Sequence, residues 1–207
     1  MRSLVLIGLC AAVPACSKPD APPPPAATAP AASASASSGA TGSLAGVVRA
    51  AGTAVVVLEP KSARTFPPQE EKPVMDQAGL TFGPELLLVR TGYPVEFRNS
   101  DDTLHNVRVS HEETRASAFN VAIPTGESFT YTFGQDGFYR VGCDIHPAMA
   151  ASVFAAASPF ATLAGSDGSF TFAGVPAGAW MVTVYTDGKR LQKDVEITGG
   201  VTTVAME

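Results

Sequence analysis

Three side chains able to grip a soft metal ion crowd into seven residues. Cys143-Asp144-Ile145-His146-Pro147-Ala148-Met149 offers a thiolate, an imidazole and a thioether in one turn-sized loop, directly after the strand-like Tyr139-Arg140-Val141-Gly142. A second imidazole is available at His105, inside Asn99-Ser100-Asp101-Asp102-Thr103-Leu104-His105-Asn106-Val107, a pattern that reads as strand, polar turn, strand. Two histidines, one cysteine and a weak axial methionine form the donor set of a blue-copper electron-transfer site. The types suit that chemistry: thiolate and thioether stabilise Cu(I), imidazole accepts both oxidation states, and a rigid trigonal arrangement limits ligand movement when the charge changes. Taken singly, Cys143 reads as a buried thiol, Met149 as a core filler and His105 as a hydrogen-bonded loop residue. Their agreement in spacing and strand context favours a metal. His111, in Ser110-His111-Glu112-Glu113, reads as a solvated loop histidine. Asp101-Asp102 read as turn formers, because no periodic acidic loop follows that would suit calcium.

The elements that must position these donors are strands. From Ser43 onward, short runs rich in Val, Thr, Phe and Tyr alternate with Gly, Pro and Asp-Gly signals. Strands are expected at 44–50, 54–58, 80–82, 86–90, 94–98, 106–109, 128–133, 137–143, 151–155, 169–172, 179–186, 191–197 and 202–205, with one helical turn near Glu112–Ala118. Asp136-Gly137, Asp167-Gly168 and Asp187-Gly188 supply turn residues that tolerate positive φ. So many short strands at this spacing predict an all-β sandwich architecture.

Residues 74–157 resemble the cupredoxins, the plastocyanin and amicyanin family. The likeness rests on Phe82-x-Pro84 before an aliphatic strand, on Gly92-x-x-Val95-x-Phe97-x-Asn99-x-Asp101, on His105-Asn106, and on the Cys143-x2-His146-x2-Met149 loop. It implies a Greek-key β-sandwich binding one type 1 copper, with His105, Cys143 and His146 as equatorial ligands and Met149 as the axial one. It further implies that Asn106 braces the ligand loop and donates its backbone N–H to the thiolate. Ile145 stands where plastocyanin and amicyanin carry Pro, so its N–H is free to make a second hydrogen bond to sulfur, which predicts a raised reduction potential.

Asp167-Gly168-Ser169-Phe170-Thr171-Phe172-Ala173-Gly174-Val175-Pro176-Ala177-Gly178-Ala179-Trp180, with the strand 182–185, resembles the carboxypeptidase regulatory-like, prealbumin or transthyretin-type sandwich. That family opens on a Gly-x-Val strand and an Ala-x-Val-x-Leu strand, which stand far upstream as Gly46-Val47-Val48 and Ala54-Val55-Val56-Val57-Leu58. The tail after Ser158 is short for a core of its own. We therefore expect the cupredoxin, residues 72–157, to be inserted between residues 43–71 and 158–207 of a second small sandwich. The competing reading assigns Leu44–Leu58 to the cupredoxin. Such modules serve as spacers or bind carbohydrate; a single Trp180 in a strand reads as core.

The N-terminus carries an address. Arg2 and the apolar run Leu4–Val13 read as a signal peptide over residues 1–15, because that run is too short for a bilayer core needing about 20 residues. Val13-Pro14-Ala15-Cys16 resembles a bacterial lipobox, which implies lipidation of Cys16. Ser17 after it suggests onward transport to the outer membrane from the periplasm. Residues 16–42, rich in Pro, Ala and Ser, read as a disordered or extended tether. With 14 Lys+Arg against 19 Asp+Glu, the net charge of −5 gives no basic face for nucleic acid. Three cysteines build no disulfide framework. No carboxylate partner or oxyanion hole completes a Cys–His nucleophile, so an enzyme is not expected. The expected function is a membrane-tethered, monomeric electron carrier meeting a redox partner protein through the His146 edge. Copper delivery without redox turnover and a carbohydrate- or partner-binding module are the alternatives.

Overall fold

Alternation of apolar and polar residues governs how the strands are buried, and one strand departs from it. The computed structural model describes residues 39–49, 52–186 and 188–207. The expected signal peptide, Cys16 and most of the tether lie outside the described residues. In chain order the strands are β1 (Thr41–Val48), β2 (Ala54–Pro60), β3 (Val74–Ala78), β4 (Thr81–Gly83), β5 (Leu86–Arg90), β6 (Pro94–Asn99), β7 (His105–His111) and β8 (Ser117–Ile123). They continue with β9 (Ser128–Thr132), β10 (Gly137–Gly142), β11 (Ala150–Ala156), β12 (Ala161–Leu163), β13 (Ser169–Pro176), β14 (Gly178–Thr186), β15 (Lys189–Ile197) and β16 (Val201–Met206). The fold is all-β, and the described residues contain no helix.

Four sheets form, ordered β13-β1-β16, β12-β2-β14-β15, β5-β11-β10-β7-β8 and β4-β3-β6-β9. Three apolar clusters join them in succession. The first and second sheets close on Leu44, Val56, Leu58, Phe170, Phe172, Trp180, Val182 and Val184. The third and fourth close on Met75, Phe82, Val95, Phe97, Val107, Val109, Phe133, Tyr139 and Val153, and this cluster includes Cys143 and Met149. Between these two sandwiches, Val55 and Val57 of β2 meet Phe154 and Ala156 of β11, with Phe138 and Tyr185 alongside. Strand β2 is therefore buried on both faces, which explains why Ala54-Val55-Val56-Val57-Leu58 is apolar throughout rather than alternating.

Strands β1 and β2 precede the third and fourth sheets in sequence, yet they pair with strands that follow them. Strand β1 lies antiparallel to β13 and parallel to β16, and β2 lies between β12 and β14. Gly168 turns the chain at φ +78, and a Cβ there would stand 2.2 Å from the Val48 carbonyl oxygen, so only glycine fits. Trp180 is fully buried and donates its indole N–H to the Pro176 carbonyl at 2.9 Å.

The structure departs from the sequence expectations in three places. Strands β3, β8 and β12 were not expected. Residues 112–118 form no helix: Arg115 N–H closes a single turn on the His111 carbonyl at 2.9 Å, Arg115 then takes φ +61, and β8 returns along β7. His111 ends β7 and is 4% exposed, not solvated. Its ring contacts the Asp136 carbonyl and receives the Thr114 N–H, so a buried polar ring is satisfied at both nitrogens.

Candidate metal centre

The donors converge at one end of the third sheet because two neighbouring strands point there. Strand β7 starts at His105 and β10 runs antiparallel to it, ending one residue before Cys143. The loop that follows is tied at its base, where Cys143 N–H reaches the Met149 carbonyl at 3.3 Å and Met149 N–H the His146 carbonyl at 2.9 Å. His146 is thereby folded back over the cysteine.

His105 Nδ1, Cys143 Sγ and His146 Nδ1 face one another. The two nitrogens are 3.0 Å apart, and each is 3.9 Å from the sulfur. A point in the plane of the three atoms, about 2.0 Å from each nitrogen, falls about 2.3 Å from the sulfur, and these are ordinary bond lengths from a first-row ion to imidazole and thiolate. The spacing of the three atoms therefore suits a trigonal ion. Its composition, two imidazoles and one thiolate, is that of a blue-copper site. His105 is fully buried and Cys143 is 3% exposed, whereas His146 is partly exposed. Met149 is buried in the same apolar cluster as Cys143, within the loop that carries His146.

The groups behind the three donor side chains are fixed in turn. Asn106 Oδ1 accepts the N–H of Asp144 at 2.7 Å and of Ile145 at 3.3 Å, bracing the loop through its side chain. The Ile145 N–H is thus turned toward Asn106 and not toward the sulfur. The sulfur instead accepts the His146 N–H, at 3.4 Å. The expected donation from Ile145 is corrected on this point, because the carboxamide oxygen of Asn106 captures that N–H first.

Asp101 holds a position that its reading as a turn former missed. Its Oδ2 lies 2.8 Å from His105 Nε2, on the ring edge opposite the sulfur, and the carboxylate also accepts the N–H of Gly79 and of Leu80. The Leu80 N–H first, and the His105 ring next, hold the Asp101 carboxyl below its usual range. A carboxylate on the far nitrogen fixes ring orientation and tautomer, leaving Nδ1 to face a metal. Asn99, fully buried, shapes the turn that presents Asp101: its Nδ2 donates to the Thr103 and Ile123 carbonyls and its Oδ1 accepts the Asp101 N–H. The spacing Asp101-x3-His105 was the available signal.

A histidine at the start of a strand, a cysteine and a second histidine in a short loop, and a buried sandwich behind them form a candidate metal centre of a β-protein, with a donor set that suits copper. Residues 70–155 match the family described as copper binding proteins, plastocyanin/azurin family. Among solved structures, a reduced amicyanin mutant is 24% identical, with a TM-score of 0.38, covering 42% of this chain and 85% of its own. A second reduced mutant is 22% identical at TM-score 0.38, covering 48% and 99%. An oxidised mutant is 21% identical at TM-score 0.38, covering 50% and 98%. No curated protein matches the chain.

Proposed function

We propose that this protein is an electron carrier holding one type 1 copper between His105, Cys143 and His146, with Met149 as a weak axial ligand. The observation that carries the reading is the triangle of donor atoms, 3.0 Å between nitrogens and 3.9 Å from each to sulfur. When bound, copper would supply a one-electron couple between Cu(I) and Cu(II). The chain's own part is to hold the three donors still, so that a change of charge needs little movement, and to keep His105 and Cys143 away from water. His146 is the ligand that reaches the surface. Near it stand exposed apolar side chains, Leu104 (47%) before His105 and Ile145 (47%) before His146. A small apolar contact of this kind suits a partner that must be released after each transfer.

A closed donor set leaves no open position for a substrate, so we read the protein as a carrier and not as an enzyme. We further propose lipidation at Cys16 and residence at the periplasmic face of a bacterial envelope, the outer membrane in preference to the inner. The second sandwich, read as a regulatory-like spacer, would carry the copper unit at the end of the tether.

One equivalent of Cu(II) added to the protein should give an intense sulfur-to-copper charge-transfer colour that ascorbate bleaches reversibly. Cys143→Ser should abolish the colour. Met149→Leu should keep it and raise the potential. A pale tetragonal Cu(II) spectrum in the unsubstituted protein would overturn electron transfer and favour simple copper binding. Labelled palmitate should enter the protein and not its Cys16→Ala variant; label in both would remove the lipid anchor.

A further inference from the structure

Behind Cys143 lies a polar cluster built around one carboxylate. Asp144, the residue after the cysteine, accepts Arg108 Nε on Oδ1 at 2.7 Å. Its Oδ2 accepts Asn120 Nδ2 at 3.0 Å and Asn106 Nδ2 at 3.1 Å. Asn106 Nδ2 also donates to Asn120 Oδ1 at 2.8 Å. An ionised carboxylate only accepts, so both asparagine amides must turn their NH2 groups toward it. Asn120 is then obliged to offer its oxygen to Asn106, and Asn106 is obliged to turn its own oxygen the other way. That oxygen meets the N–H of Asp144 and Ile145 and stands 3.4 Å from Cys143 Sγ.

We propose that Asp144, anchored by Arg108 and Asn120, is a positioning residue that fixes the orientation of the Asn106 carboxamide and so keeps an N–H donor away from the Cys143 sulfur. Turned over, Asn106 would press its NH2 against two backbone N–H groups and present a donor to the sulfur. Hydrogen bonds to a metal-bound thiolate set the potential of such sites. Asp144 therefore acts on the sulfur without touching it. The part of this inference that concerns the potential rests on the copper reading; the part that concerns Asn106 does not.

The test begins on the full-length protein without metal, by amide hydrogen exchange. In Asp144→Ala the Ile145 N–H should exchange about tenfold faster, the loss of roughly one well-made hydrogen bond, while the amides of β11 keep their rates. Asn120→Ala should give a smaller acceleration, and the double variant should exceed Asp144→Ala by little, because Asn120 takes its orientation from Asp144. An unchanged Ile145 rate, equal acceleration across β11, or additive effects in the double variant would each overturn the proposal. With copper loaded, Asp144→Ala should raise the reduction potential; a potential unchanged in the face of faster Ile145 exchange would overturn the link to the sulfur. If the unsubstituted protein takes no coloured copper while the exchange results hold, the copper reading fails and the orienting role of Asp144 stands.

Discussion

The two sandwiches are built alike, from paired sheets closed on aliphatic and aromatic side chains, but they bury polar groups differently. In the one holding the metal donors, Gln77, Asn99, His105, Asn106 and His111 are buried, and three of these five stand at or directly behind the donors. In the other, the buried polar residues are Ser158, Thr183 and Thr186, short hydroxyl side chains such as Ser158, whose Oγ donates to the Leu58 carbonyl. Burying a carboxamide or imidazole is costly unless every polar atom is partnered. Around the donors that cost is met by a connected network running from Asn99 through Asp101 to His105, and from Asn120 through Asn106 to the ligand loop; away from them Gln77 Oε1 is buried without a partner. The contrast teaches that equal architecture leaves function to the place where polarity is admitted.

The sharpest way to break this contrast is in the apolar sandwich. Trp180 touches Phe66 and Phe160 and carries Arg64 over its ring. Trp180→Ala should cost about 3–5 kcal/mol by the usual penalty for emptying a large buried site. Read by chemical denaturation, it should lower stability with little effect on the donors, and a change in copper colour at native conditions would contradict the separation of roles. Asp101→Asn should do the reverse. It should reduce copper affinity by about tenfold or more, as loss of a partner behind a ligating histidine usually does, with a smaller change in the denaturation midpoint. Unchanged affinity would remove Asp101 from the site.

The smallest effect concerns acid. Asp167, in the turn before β13, has its carboxyl held below the usual range by the Ser169 hydroxyl and N–H. Lys72 first, and Arg98 next, do the same for Glu96 in the other sandwich. Because the folded state depresses these values, each contribution is present above the ordinary carboxylate range and is lost as the pH falls through the lowered one. Asp167→Asn should therefore flatten part of the acid limb of the stability curve and leave copper colour untouched. An identical acid limb would show that those hydrogen bonds contribute nothing there.

Much of the site was legible because its donors are local. Cys143, His146 and Met149 lie in one loop, and His105-Asn106 opens a strand whose pattern is apparent. What escaped depends on folding. Asp101 reads as a turn residue until the turn is seen to place it against the far nitrogen of His105. The destination of the Ile145 N–H depends on Asn106, a strand away. Strand β3 was hidden because its inward face carries Gln77, whose Nε2 donates to the Arg98 carbonyl, and β8 because it is a sheet edge with little buried surface. His111 looked solvated beside Glu112 and Glu113, but Gly137, at φ +126, lets the backbone approach so closely that a Cβ there would stand 2.8 Å from its ring nitrogen.

The measurement that bears most directly on the account is X-ray absorption at the copper edge of the loaded protein. Two imidazole nitrogens near about 2.0 Å and one short sulfur near about 2.3 Å are expected, by the ordinary lengths of such bonds. A shell of nitrogen and oxygen alone, with no short sulfur, would contradict it.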